Sequence, residues 1–214
     1  PHNCTNVTAG IKGASSELSD ILFYGFQQEA SSYATSYIPN HGTSGGVTRA
    51  ADVCYTNEMF NYIGQSEGTI YAEFFLPQDL TAGENRLSLS DNTLNNWIFT
   101  SIPETGNKTR MYVRVGASTL IDTQTSGSIF NHGQNNKIAF AYKSGDSRVY
   151  VNGSSVLSSS SSFGSPTSEL DVFTTTGSSG TGSASAQNIQ NEIKQVALFK
   201  ERLTNAELAT LTTL

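Results

Sequence analysis

Apolar residues fall on every second position through KIAFAYKSGDSRVYVNG, residues 137–153. Ile138, Phe140 and Tyr142 alternate with Ala139 and Ala141, and Val149 and Val151 alternate with Arg148 and Tyr150. Period two is the signature of a strand with one face buried, so two strands are predicted here. Asn152-Gly153 supplies the pair of positive-φ residues that a type I′ hairpin requires, and Ser144-Gly145-Asp146 marks a looser turn before it. The same alternation predicts strands at 68–76, 86–90, 97–102, 110–115, 170–174 and 192–199, with one more at 20–26. Short strands at regular spacing, with turn residues between them, argue for a sandwich. The chain closes on EIKQVALFKERLTNAELATL, where Thr204 and Glu207 have the spacing of a capping box and place Leu208 and Leu211 on one helical stripe. The predicted fold class is all-β, an antiparallel sandwich with one short C-terminal helix.

Composition narrows the chemistry. At 214 residues the chain is long enough for one principal domain. Charged residues make up 14%, against roughly a quarter in an average globular chain, and Ser, Thr, Asn and Gly take their place. The net charge of -6 argues against nucleic acid, which is held by Lys and Arg on phosphates. No run approaches the roughly 18 to 20 apolar residues that span a bilayer, so no membrane insertion is predicted. Residues 158–162 are five consecutive serines and 174–186 are Gly/Ser/Thr-rich; both read as surface loops, as does 43–46. Two cysteines, Cys4 and Cys54, allow a single disulfide, with two free thiols as the alternative.

RVYVNG at 148–153 and EIKQVALFKERLTNAEL at 192–208 resemble the late hairpin and the closing strand and helix of laminin G-like and concanavalin A-like lectin/glucanase domains. That resemblance implies a jelly-roll sandwich that binds glycans or proteins, and in many members a calcium ion at a loop edge. FQQEASSYATSYIPNHGTSGGVTRAADVC, residues 26–54, resembles a segment found in bacteriophage tail and tail-fibre proteins ahead of such a domain. It implies a virion protein that faces outward, contacts host cell-surface polysaccharide, neighbours other virion proteins and assembles as a homotrimer. On this reading residues 1–30 are an N-terminal arm, either the remnant of an upstream module or a docked edge strand, and 31–214 are the lectin-like domain.

Sugar binding needs flat aromatic faces and paired hydrogen-bonding side chains. If Ile70, Ala72 and Phe74 face the core, Tyr71 and Glu73 face out; if Met111, Val113 and Val115 face in, Tyr112 and Arg114 face out with Arg110. Tyr71, Glu73, Tyr112 and Arg114 are therefore expected to line one concave face. Trp97, the single tryptophan, serves either as a stacking platform or as the main core aromatic. The same Tyr/Arg set would equally suit a subunit contact.

Catalysis finds little support. ELDVFT at 169–174 nearly matches the ExDxxE strand of laminarinase-like hydrolases, but Thr174 stands where the acid/base glutamate is needed. A pair of acids on separate strands, Glu73 with Glu169, is the remaining glycosidase candidate. His2, His41 and His132 lie in polar contexts without a nucleophile motif, and GTSGG at 42–46 lacks the lysine of a phosphate loop. Asp91, Asp122 and Asp146 read as isolated turn acids that cap backbone groups, so no metal ligand is assigned and calcium rests on the resemblance alone. The sequence reading is thus a non-catalytic carbohydrate-binding domain, with a structural virion connector as its alternative and a polysaccharide-degrading enzyme third.

Overall fold

A computed structural model describes residues 39, 47, 55–77, 84–175 and 191–214. The arm at 1–30, the strand expected at 20–26, the loop at 43–46, Cys4 and Cys54, and most of the low-complexity stretch at 174–186 lie outside them. Pro1–Ala50 and Ala51–Leu214 are separate compact units, and every described element belongs to the second.

Eleven strands and one helix are formed by the described residues: β1 Tyr55–Thr56, β2 Glu67–Leu76, β3 Glu84–Ser90, β4 Trp97–Glu104, β5 Arg110–Val115, β6 Ser118–Gln124, β7 Gln134–Lys143, β8 Ser147–Val151, β9 Ser154–Ser159, β10 Val172–Thr174, β11 Glu192–Phe199 and α1 Asn205–Thr212. They pair antiparallel into a six-stranded sheet, order β1-β10-β3-β4-β5-β6, and a five-stranded sheet, order β11-β2-β7-β8-β9. The predicted all-β sandwich with one C-terminal helix is the observed fold.

Alternation decides the core. Ile70, Ala72, Phe74 and Leu76 of β2 meet Ile138, Phe140 and Tyr142 of β7 and Val149 and Val151 of β8 on one side. Leu87, Leu89, Ile98, Ile102, Met111, Val113, Ile121 and Phe173 come from the other. The hairpins follow their turn chemistry: Asn152 and Gly153 both have positive φ, and Gly116-Ala117 repeats that pattern between β5 and β6.

Besides the two-residue β1, strands β6 and β9 went unpredicted, and the serine run expected as loop begins inside β9, which ends at Ser159. Both are edge strands. Each buries a single apolar residue, Ile121 or Leu157, so neither shows the alternation that betrays a central strand. Helix α1 has the predicted capping box: the Thr204 backbone N–H donates to Glu207 Oε2 at 2.7 Å, and the Glu207 N–H donates to Thr204 Oγ1 at 3.3 Å.

Candidate functional site

The outer face of the five-stranded sheet is occupied by the chain's own helix. Leu208 is fully buried in a second cluster with Tyr71, Ala139, Ala141 and Tyr150, flanked by Phe199, Leu203, Ala209 and Leu211. Alanines at two successive outward positions of β7 leave the hollow in which Leu208 sits. Thr69 ties the approach to the helix down: its Oγ1 donates to the Glu201 carbonyl and accepts from the Leu203 N–H, both at 3.0 Å. Tyr71, expected to be a solvent-facing sugar contact, points outward from its sheet but is only 4% exposed. Burial, then the charge of Glu73, hold its hydroxyl above the ordinary tyrosine range. Glu73 is half-buried beside it on the same strand.

Tyr112 and Arg114 lie on β5, in the other sheet. The outward faces of two packed sheets point in opposite directions, so the expected single concave face of Tyr71, Glu73, Tyr112 and Arg114 does not form. What does form is a lattice on the outer side of the six-stranded sheet. Its register sets Ser88 opposite Phe99, Phe99 opposite Tyr112 and Tyr112 opposite Asp122 in one row. The next row runs Ser90, Trp97, Arg114 and Thr119. Trp97, Phe99 and Tyr112 form a third apolar cluster, separate from the core. Phe99 and Tyr112 stack at 4.7 Å between centroids, with Trp97 4.6 Å from Phe99 and 5.4 Å from Tyr112. Trp97 is therefore neither an open platform nor the main core aromatic: it is 8% exposed, and its Nε1–H donates to Ser88 Oγ at 2.9 Å. The Tyr112 hydroxyl is bonded to that of Thr119 at 2.8 Å.

Three arginines and three carboxylates surround these rings. The Arg86 guanidinium lies 4.4 Å from the Phe99 centroid and 4.9 Å from Trp97, close enough for cation–π attraction. Arg86 pairs with Glu84. Arg110 is 5.6 Å from the Tyr112 ring and makes two 2.7 Å bonds to the Asp122 carboxylate, the bidentate geometry that suits a guanidinium. The Ser101 hydroxyl lies between two acids, bonded to Glu84 Oε1 and 3.5 Å from Glu104 Oε2. Burial first and the Glu84 charge second hold Glu104 above the usual carboxylate range, against the opposing pull of Arg110 and Arg86. All three arginines are half-buried, and the Nε of Arg86 and that of Arg114 are both enclosed without a hydrogen-bond partner. Arg114 differs in that no carboxylate among the described residues pairs with it, whereas Glu84 holds Arg86 and Asp122 holds Arg110.

Of the five expected contact residues, Trp97, Tyr112 and Arg114 come together on this face and Tyr71 and Glu73 do not. Sequence reasoning missed Arg86, Phe99 and the acids Glu84 and Glu104. A clue was present in WIFTSI, an apolar run without alternation, which signals a strand buried on both faces.

The carboxylate pair Glu73 and Glu169 is not assembled. Gln65 clamps Leu170, donating from Nε2 to its carbonyl at 2.9 Å and accepting its N–H at 2.8 Å, which places Glu169 near residue 65. Glu73 lies further along β2, six residues beyond its start at Glu67, about 20 Å at a strand's rise of about 3.3 Å per residue, far beyond the roughly 5 to 9.5 Å that glycosidase carboxylates span. The isolated aspartates behave as caps and ion-pair partners. Asp91 accepts from Thr93, Asn96 and Ser168. Burial pushes its carboxyl up, but those hydrogen bonds outweigh it and hold the group below the ordinary range. Asp122 is taken by Arg110, and Asp146 by Arg148 and Arg202. Among the described residues no cluster of three His, Cys, Asp or Glu side chains is placed to hold a metal ion. No described helix is long and apolar enough to cross a membrane.

Residues 46–209 match the family model described as the concanavalin A-like lectin/glucanases superfamily. No curated protein matches the chain in sequence. Among solved structures, the CBM40 of the Ruminococcus gnavus IT-sialidase is similar with a TM-score of 0.57 at 14% identity, covering 70% of this chain and 84% of that one. The same module bound to α2,3-sialyllactose gives 0.54 at 15% identity, with coverage of 70% and 84%. Domain 4 of AbnA, a GH43 extracellular arabinanase from Geobacillus stearothermophilus in complex with arabinotriose, gives 0.56 at 16% identity, covering 77% of this chain and 82% of that one. At these identities the likeness is one of fold.

Proposed function

The chain belongs to the concanavalin A-like lectin/glucanases superfamily, and from that membership and the chemistry of one sheet face we propose that it is a non-catalytic carbohydrate-binding module. The observation that carries the reading is Arg114. A half-buried guanidinium whose Nε lacks a partner, and which, unlike Arg86 and Arg110, pairs with no carboxylate among the described residues, lies opposite Trp97 in the β4–β5 register. An unmet buried donor is costly in the free protein and is repaid when an anion arrives. A sugar carboxylate, as on a sialic or uronic acid, would supply that anion. The solved sialyllactose complex of a similar fold supports this ligand class. Arg86 and Arg110 are already neutralised by Glu84 and Asp122, which leaves Arg114 as the cation that an anionic glycan would meet.

In its finer form the reading places the module on a bacteriophage tail or another virion surface, facing outward and contacting host cell-surface polysaccharide. The resemblance of residues 26–54 to tail-protein segments supports that setting. Homotrimeric assembly and repetition over a particle would raise weak single-site affinity by avidity. A structural connector that packs against other virion proteins is the competing role for the same face.

Titration of the chain with α2,3-sialyllactose and with oligogalacturonate, followed by calorimetry and by Trp97 emission, tests the reading. Saturable binding that falls about tenfold or more in Arg114→Ala, with an unchanged melt, is expected, since one charge-assisted contact is worth about 1.5 to 3 kcal/mol. Tyr112→Ala is a poorer probe because that side chain is packed and bonded to Thr119. Silence toward both anionic glycans would overturn the site. Reducing-end release from either would overturn the non-catalytic assignment.

A further inference from the structure

We propose that the loop at residues 57–66 carries a second sugar-binding platform, for uncharged pyranose chains, built on Phe60 and Tyr62; the inference rests on the carbohydrate-binding reading but not on the sheet face. Among the described residues these two are the aromatics left in the open, Phe60 at 39% and Tyr62 at 63% exposure. Every other described aromatic on the sandwich faces is sealed at least in part, so flat apolar surface of the kind a sugar ring stacks on is concentrated here.

The two rings are held on a rigid mount. Tyr62 and Ile63 both donate their N–H groups to the Met59 carbonyl, at 2.8 and 3.1 Å, forming a tight turn, and the Met59 N–H donates to the Asp171 carbonyl at 2.8 Å. Ile63 is buried in the core and Met59 packs against it. Beyond the turn, the Tyr142 hydroxyl donates to the Gly64 carbonyl at 2.6 Å, and Gln65 makes its two bonds to Leu170. Gly64 is wedged so closely that a Cβ there would lie 1.8 Å from the Glu67 carbonyl oxygen and 2.3 Å from that of Lys200. The core residues of the loop are thus satisfied beneath it, and Phe60 and Tyr62 are not a missing piece of the interior. A platform fixed in place before binding loses little entropy when a ligand arrives.

Charge selects the ligand. The loop NEMFNYIGQS, residues 57–66, contains Glu58 and no Lys or Arg, Glu67 just beyond it is paired with Lys143 at 2.7 Å, and Glu169 and Asp171 flank the loop through the Gln65 and Met59 contacts. Glu58, Glu169 and Asp171 would repel an anionic glycan, in contrast to Arg114 on the sheet face, which would attract one. Asn57 and Asn61, both exposed, offer the amide donors and acceptors that neutral sugar hydroxyls use. A protein partner fits less well: two rings in one turn cover far less than the roughly 800 Å² per side that a stable protein interface buries. Two platforms of opposite charge preference on one module would let it bind a mixed polysaccharide more tightly than either alone.

The test titrates the full chain with maltohexaose, cellohexaose and chitohexaose by calorimetry, with Trp97 emission as the separate reporter of the sheet face. At least one uncharged probe is expected to bind without moving Trp97 emission. Tyr62→Ala should weaken that binding about tenfold at an unchanged melt, with Tyr62→Trp restoring it. Phe60→Ala should weaken it as well. Absence of binding by all three probes, or Tyr62→Ala binding as well as the parent chain, would overturn the platform. Uncharged binding that survives Tyr62→Ala but is lost in Arg114→Ala would also overturn it while leaving carbohydrate binding on the sheet face intact. Sialyllactose binding with no uncharged binding would leave the sheet face standing and this platform refuted.

Discussion

Tyr142→Phe removes one oxygen from the centre of the sandwich and tests whether the loop that presents Phe60 and Tyr62 is held from below. The Tyr142 ring is a core residue of β7, and its hydroxyl donates to the Gly64 carbonyl at 2.6 Å. Gly68 makes this approach possible: a Cβ there would sit 2.3 Å from the Tyr142 oxygen and 2.6 Å from its Cζ. With phenylalanine the ring keeps its packing, but the carbonyl of the buried Gly64 loses its donor. A buried acceptor left unpaired costs about 1 to 3 kcal/mol, whereas a hydroxyl that merely reached water would change stability by less than about 0.5 kcal/mol. Urea unfolding at neutral pH separates the two, with an unchanged m-value showing that the unfolded and folded states are otherwise comparable. A loss below about 0.5 kcal/mol would refute the anchor.

The same substitution carries a pH signature. Burial first, and the Glu67 charge second, push the Tyr142 hydroxyl well above the ordinary tyrosine range. The folded state therefore holds this proton more tightly than the unfolded chain. Its contribution is fully present below about pH 10 and is lost as pH rises from there toward the folded value, at about 1.4 kcal/mol per pH unit for one such group. Parent protein should lose stability more steeply than Tyr142→Phe between about pH 10 and 11.5. Parallel curves would show that the hydroxyl ionises freely in the native state.

Two further changes probe the rest of the frame. Leu208→Ala should cost about 2 to 5 kcal/mol, the range for a fully buried leucine, and should speed amide exchange at Tyr71 and across 203–213; a cost under about 1 kcal/mol would mean the helix is not seated on the sheet. Asp91 has a folded pKa below its unfolded one, so its stabilising effect is present above about pH 4 and fades as pH falls through the depressed value. Urea melts from pH 7 to pH 3 should therefore show a smaller acid loss in Asp91→Asn than in the parent, and equal acid losses would refute the role of the Ser168, Thr93 and Asn96 bonds.

The inward half of this fold was readable because burial imposes a period. Ile70, Ala72 and Phe74, Met111, Val113 and Val115, and Ile138, Phe140 and Tyr142 all point where alternation puts them, into the core between the sheets. The outward half was not, since alternation says that Tyr71 and Tyr112 leave the core but not from which sheet. That depends on strand order, a matter of long-range pairing, and two of the strands that complete it, β6 and β9, are too polar to announce themselves. Tyr71 had a second, local signal against exposure. Ala139 opposes it directly on β7, and small outward residues beside a helix with a Leu208–Leu211 stripe form a seat that such a helix fills. Phe60 and Tyr62 reverse the lesson: they belong to no strand and show no period, so pattern assigned them nothing, and only the anchored turn beneath them shows that their exposure is held in place by the fold. Binding surface on a sandwich of this kind is thus to be sought also where apolar side chains fall outside the two-residue alternation of a half-buried strand, as WIF does in β4 and as Phe60 and Tyr62 do in the β1–β2 loop, the two places where binding faces are proposed here.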